Sequence, residues 1–87
     1  MPTISVFLGI TIRMYFADHP PPHIHAFYSG FEALVNIETG EIIEGSLPRR
    51  VHRLVGEWIE LRKDDILENW KRAEALEPLE RIEGLDD

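Results

Sequence analysis

The hydrophobic period of this chain changes once, near residue 45, and that change limits the folds open to it. Residues 3–44 alternate apolar and polar side chains with a period of two, which is typical of half-buried strands. Residues 46–75 repeat apolar side chains every three or four positions, as amphipathic helices do. Strands that all precede helices favour an α+β fold. We therefore predict a small antiparallel sheet of about four strands (residues 3–44), packed by a C-terminal helical hairpin (residues 47–75).

The first strand segment has apolar residues at every even position from Ile4 to Phe16. A two-residue turn at Gly9 would break this parity, because side chains alternate between the two faces of a strand. We therefore predict one long strand that is kinked at Gly9. A three-residue loop there is the alternative.

The second strand segment predicts a hairpin with Ser29 and Gly30 as its two-residue turn. This turn fixes the register and gives the hairpin an apolar face and a polar face. The apolar pairs are Tyr28 with Phe31, Ala26 with Ala33, and Ile24 with Val35. The opposite pairs are Phe27 with Glu32, His25 with Leu34, and His23 with Asn36. The histidines are thus expected to point away from the core, and a short strand is expected at residues 41–44.

The helical segment has an apolar stripe that predicts a helix lying on the sheet. The stripe consists of Val51, Leu54, Val55, Trp58 and Ile59. Asp65 and Glu68 then have the spacing of a capping box, which indicates a second helix with Trp70 in its buried face. One kinked helix is the alternative that the sequence leaves open.

Composition bounds the size and setting of the protein. The 87 residues suffice for one domain, predicted at residues 1–76 and followed by a partly disordered acidic tail at residues 77–87. The chain has no cysteine, no signal-peptide pattern and no apolar run near the ~18–20 residues that cross a bilayer. We therefore expect a cytoplasmic protein that does not contact membranes. Its formal charge of −7 argues against a protein that binds nucleic acid non-specifically over its whole surface, but it is compatible with a local basic patch.

Three of the four histidines lie within seven residues and form the first candidate site. On a strand, His23 and His25 project to the same side, roughly 7 Å apart along the chain. With Asp18 and Glu32 they are candidate ligands of a divalent metal, the one cofactor that the pattern suggests. Alternatively, His19, His23 and His25 are candidate acid–base catalysts. The structural alternative is that these histidines only pack against the prolines and cap the strand.

A second candidate site lies at the predicted start of the helix. Arg49, Arg50 and Arg53 there oppose the helix dipole unless an anion offsets them, so they are candidate ligands for phosphate. Arg13, on an early strand, is a further candidate for substrate or anion binding. The structural alternative pairs these arginines with Glu44, Glu57 or the acidic tail.

Several segments resemble a family of short bacterial proteins catalogued as a domain of unknown function. The resemblance is carried by residues 1–5, by residues 12–19, by Pro21-Pro22-His23-Ile24-His25 and by residues 45–50 and 57–70. The family hallmark is a turn containing aspartate or glutamate, followed by Pro-Pro-His-x-His, and the resemblance covers most of residues 1–76. It implies a gene placed beside another short reading frame, in an arrangement similar to toxin–antitoxin pairs. It implies no established activity.

Two functions follow as hypotheses. The first is a toxin–antitoxin-type component that binds a small protein partner, the product of a neighbouring short gene. The second is a histidine-dependent or metal-dependent phosphodiesterase, or a ribonuclease acting on RNA. The sequence leaves open whether the protein is an enzyme, because a toxin can be an enzyme that its partner holds inactive.

Overall fold

A computed structural model describes residues 2–86, which form a five-stranded sheet and one long helix. The elements are β1 (Thr3–Phe7), β2 (Ile10–Arg13), β3 (His23–Tyr28), β4 (Phe31–Asn36), β5 (Ile42–Gly45) and α1 (Arg49–Glu74). The strands follow one another across the sheet in chain order, and every neighbouring pair is antiparallel. The predicted α+β class and antiparallel sheet are confirmed, with five strands in place of about four.

The extra strand arises at Gly9, where the prediction of one kinked strand is wrong. β1 and β2 form a hairpin whose two-residue turn is Leu8 and Gly9, both with positive φ. Phe7 therefore pairs with Ile10, and both side chains are buried, whereas Leu8 is 45% exposed. A register shift between Thr3 and Ser5 changes the alternation a second time, so that the residues before the shift again lie on the core side of the sheet. The bulge and the turn thus reverse the predicted parity only at residues 5–8, which lie between them, and even positions are buried on both sides.

The β3–β4 hairpin has the predicted register in all six residue pairs. Ser29 and Gly30 form its turn, with φ of 45° and 87°, the conformation of the mirror-image turns that suit hairpins. The predicted apolar face supplies core residues, because Ile24, Ala26 and Val35 are fully buried. The opposite face of the sheet carries the two histidines of β3, and we call it the open face.

The helical hairpin predicted for residues 47–75 is wrong, because residues 49–74 form a single helix with a kink. The kink lies at Arg62, whose φ of −113° and ψ of 20° depart from helical values. Neither glycine nor proline interrupts residues 57–66, and the buried Ile59 and Ile66 are two turns apart on one face. The apolar stripe therefore continues across the kink, and Asp65 begins no new helix.

The segment that follows the helix returns along α1 to the edge of β1. The N–H of Ile82 donates to the carbonyl of Ile4 at 2.7 Å, and the indole of Trp58 donates to the carbonyl of Glu83 at 2.8 Å. Ile82 is itself buried. These contacts join the segment to the sheet and the helix, whereas the domain boundary at residue 76 and the partial disorder of the tail stay predictions.

The core lies between the sheet and α1, and both tryptophans belong to it as predicted, at 0% and 5% exposure. Within residues 2–86, α1 is too polar to be a membrane-spanning helix, and no other helix is present.

Candidate functional site

Asp18, His23 and His25 converge at one end of the open face. The Oδ2 atom of Asp18 lies 2.9 Å from Nε2 of His23 and 3.3 Å from Nε2 of His25. All three donor atoms lie within 4.8 Å of one another. His23 is buried, whereas the side chains of Asp18 and His25 are 17% and 13% exposed. The cluster is therefore partly sheltered but open to solvent on the Asp18 side.

Strand alternation and a tethered loop produce this convergence. His23 and His25 are two residues apart on β3, so both rings project from the same face. The loop between β2 and β3 carries Asp18 back over them. Two backbone hydrogen bonds hold this loop, from Ala17 N–H to the Ala73 carbonyl at 3.1 Å and from Ile37 N–H to the Pro22 carbonyl at 3.0 Å.

The tautomer of His23 follows from its partners. Its Nδ1 lies 2.7 Å from the carbonyl oxygen of Pro21, which only accepts, so Nδ1 carries a proton and donates it. Nε2 then points at the carboxylate of Asp18, and either a proton or a cation must lie between these two atoms. A backbone carbonyl that fixes the remote ring nitrogen is also the usual arrangement around metal-ligating histidines.

Asp18 is held in its ionised form. Burial alone would raise the pKa of this carboxyl. The hydrogen bond from His25, the backbone N–H of His19 and the charge and hydrogen bond of His23 act in the opposite direction and lower the pKa below its usual value. The site thus has a stable anionic oxygen facing two imidazole nitrogens.

The His25 side chain has one hydrogen bond, to Asp18, and its ring also packs against the ring of Tyr15. Its ring and that of Tyr15 are nearly perpendicular, with centroids 4.3 Å apart, and its Nδ1 is buried without a partner among the described residues. Arg13 is paired with His25 across β2 and β3, and its guanidinium lies 4.9 Å over the ring of Phe27. Arg13 Nε is likewise buried without a hydrogen-bond partner in residues 2–86. The strand residue paired with His25 therefore carries a permanent positive charge.

Two predicted members of the site lie outside the cluster. Glu32 is exposed and pairs with Phe27, so it lies four strand positions from His23, or about 13 Å. His19 contacts Asp18 at 3.2 Å, but its side chain is 78% exposed. Its ring centre is 5.8 Å from that of His23, so His19 borders the site without belonging to the three donors.

One residue of the site was missed by sequence reasoning. The ring of Trp70 packs 5.2 Å from that of His23, although 47 positions separate them in the chain. The sequence correctly marks Trp70 as a core residue, but no local pattern links it to a histidine on the sheet. This contact explains why His23 is buried although its strand position faces away from the core.

The helix-start arginines occupy a different place from Arg13. Arg49, Arg50 and Arg53 line a hollow beside the turn between β4 and β5. Arg53 also forms an exposed ion pair with Glu57 at 3.1 Å, as the structural alternative expected. The four arginines therefore do not form one phosphate site.

Comparison with known proteins identifies the family of the chain. The model of a domain of unknown function, DUF4160, matches residues 9–71, which include the three donors and the helix-start arginines. The chain belongs to the DUF4160 family. No curated protein and no solved structure matches it. This confirms the resemblance to a domain of unknown function, and the family description assigns no activity to the residues of the site.

The donor set of this DUF4160 domain fits a divalent transition metal. Two imidazole nitrogens and one carboxylate oxygen are ligands that zinc and its neighbours accept in catalytic sites. Bonds of about 2.0 Å in tetrahedral geometry place ligand atoms about 3.3 Å apart. The two separations from Asp18, 2.9 and 3.3 Å, are close to that value. Three protein ligands also leave a position for water or substrate.

Proposed function

We propose that this protein is a small metal-dependent hydrolase that cleaves phosphodiesters, with RNA as its substrate class. The observation that carries the proposal is the convergence of Asp18, His23 and His25 in a partly open position. A divalent ion bound by these three residues would activate water for attack on phosphorus. The carbonyl of Pro21 would orient the His23 ligand, because it fixes the tautomer whose Nε2 is free to bind metal.

Arg13 would hold the substrate. It pairs with His25 across β2 and β3, its guanidinium lies over the ring of Phe27, and its Nε lacks a hydrogen-bond partner in residues 2–86. Guanidinium groups bind phosphate oxygens through paired hydrogen bonds, and a phosphate at the metal would lie within reach of this face. Arg13 is therefore proposed to contribute to substrate affinity and not to metal affinity.

We expect Asp18→Asn to lower zinc affinity by more than the about 10- to 100-fold that loss of an outer-shell partner costs, because the variant loses the only anionic ligand. Glu32→Gln is the matched control, since it makes the same chemical change on the same sheet face outside the cluster. Zinc binding is measured by isothermal titration of chelator-treated protein. Hydrolysis of bis(p-nitrophenyl) phosphate is measured on the same samples, with Arg13→Gln as a third variant.

The three variants separate metal binding from substrate binding. Arg13→Gln should keep wild-type zinc affinity and show a raised KM. Equal zinc affinities for Asp18→Asn and Glu32→Gln would refute the metal centre. Tight zinc binding by wild type without metal-dependent hydrolysis would refute the hydrolase.

A second candidate function is the binding of a small protein partner, as in a toxin–antitoxin-type pair. The observation that favours it is a row of side chains across the open face, formed by the paired residues Val6, Thr11, Phe27 and Glu32. Val6 is 48% exposed there. The next row contains Arg13 and His25, so a partner seated on this face would also cover the metal site.

We expect Val6→Glu to weaken binding of the neighbouring gene's product at least tenfold, because it places a charge in the apolar part of the row. Leu76→Glu is the control, since Leu76 is 68% exposed and lies outside the sheet. Affinity is measured by biolayer interferometry with both purified proteins. Equal affinities for the two variants, or the absence of binding by wild type, would contradict this second function.

A further inference from the structure

A hollow of about 690 Å³ lies between the first half of α1 and the turn that joins β4 to β5. None of the three donors of the metal site lines it. Its lining includes the buried Ile37 and Ile59 and, on the α1 side, Gly56. Its volume lies in the range of sites that hold one small molecule.

The rim nearest the helix start is strongly basic. Arg49 and Arg50 line it, and neither has an ion pair or a side-chain hydrogen bond within residues 2–86. Arg53 lies one turn further along, and the first turn of α1 contains no acidic residue. Positive side chains at a helix N-terminus oppose the helix dipole, so an anion in the hollow would relieve an unfavourable arrangement.

Gly56 leaves the backbone of α1 accessible from the hollow. Glycine is the poorest helix former after proline, yet it occupies an interior position of α1. A Cβ atom built on Gly56 meets nothing within 4 Å, so packing within the protein does not require glycine here. A ligand that lies close to the backbone would require it, because any side chain would enter the hollow.

The opposite end of the hollow offers hydrogen-bond acceptors. Glu38 and Glu60 line it together with Lys63, whose ammonium is held by the carbonyl of Glu38 at 3.2 Å. Glu60 lies ten residues after Arg50, which is about 15 Å along the helix axis. Arg49 and Arg50 at one end, and two carboxylates beside a lysine that is already hydrogen-bonded at the other, match a ligand with an anionic group at one end and hydroxyl or amino groups at the other.

We propose that this hollow binds a nucleotide, with its phosphate on Arg49 and Arg50 and its nucleoside against Gly56. The ribose hydroxyls and base amino groups would reach the carboxylates. The nucleotide is either free in solution or the terminal nucleotide of an RNA, since both present the same phosphate and nucleoside. The site is separate from the metal centre and does not depend on the proposed hydrolysis.

The proposal is tested by isothermal titration of the full chain with AMP, and with adenosine and inorganic phosphate as the two partial ligands. AMP should bind at least tenfold more tightly than either part. Arg50→Gln should weaken AMP binding at least tenfold. Lys71→Gln, which removes an exposed charge at the far end of α1, should leave it unchanged. Gly56→Leu should abolish binding while the melting temperature stays the same or rises.

A short RNA with a 5′-phosphate distinguishes the two sources of the nucleotide. RNA that binds more tightly than AMP, and that also depends on Gly56 and Arg50, identifies a chain terminus as the ligand. Tighter binding of AMP identifies the free nucleotide. Failure of both to bind wild type, or undiminished AMP binding by Gly56→Leu, would overturn the proposal.

Discussion

His23→Ala is expected to lower the free energy of unfolding by about 3 kcal/mol, even when all metal has been removed. The ring of His23 is buried, packs on Trp70 and hydrogen-bonds to the carbonyl of Pro21. Its removal leaves a void beside Trp70 and a carbonyl without its donor. It also removes one of the donors that face Asp18, although solvent access to that carboxylate moderates the loss.

His19→Ala is the matched control for this measurement. The same atoms are removed four positions earlier, from a side chain that is 78% exposed. We expect a change within about 0.5 kcal/mol, as for most surface substitutions. Both variants are unfolded with urea in the presence of a chelator, so that differences in metal binding do not contribute. Coincident urea midpoints for the two variants would show that His23 has no part in the stability of the fold.

Gly45→Ala is expected to cost about 3 kcal/mol or more, because two unfavourable effects add. Gly45 has a φ of +80°, where a side chain costs about 1–2 kcal/mol. A Cβ atom there would also overlap the carbonyl oxygen of Glu32 on the neighbouring strand and lie 3.0 Å from Cα of Ala33. Both atoms belong to the backbone, so β4 and β5 would have to separate.

Gly40→Ala isolates the backbone contribution. Gly40 has a similar φ of +78°, but a Cβ atom there meets nothing within 4 Å. We expect Gly40→Ala to cost only the conformational term, about 1–2 kcal/mol. The difference between the two thermal unfolding free energies then measures the contact with Glu32. Equal losses would show that the two strands move apart without cost.

Local patterns predict the β3–β4 hairpin and fail for β1–β2. The pair Ser29-Gly30 is a typical hairpin turn, and the alternation on either side of it is unambiguous, so the register followed from short-range information. Leu8-Gly9 lacks such a signal, because leucine seldom adopts the positive φ that this turn requires. Because exposed apolar residues flank this turn, the sequence alternates as one continuous strand would. A β-bulge cannot be recognised from sequence periodicity.

The part of the site that depends on strand geometry could be predicted from the sequence. Alternation places His23 and His25 on one face, and the proline-rich loop brings Asp18 near them. Glu32 lies on the same face but in a different row of paired residues. Spacing in the sequence alone does not show which row a side chain occupies. The burial of His23 depends on a helix residue far along the chain, and the separation of Arg13 from the helix-start arginines depends on the same tertiary packing.

The contact between Trp70 and His23 gives the proposed metal site an intrinsic fluorescent reporter. Trp70 is an intrinsic fluorophore whose ring centre lies 5.2 Å from that of a proposed metal ligand. Binding of a divalent ion there would change the electric field at the indole and therefore its emission. Trp58, the second tryptophan, stacks on Phe7 and donates to the returning C-terminal segment, so it contributes a constant background. The unlabelled protein thus contains its own fluorescent reporter, and a Trp70→Phe variant is the control that lacks it.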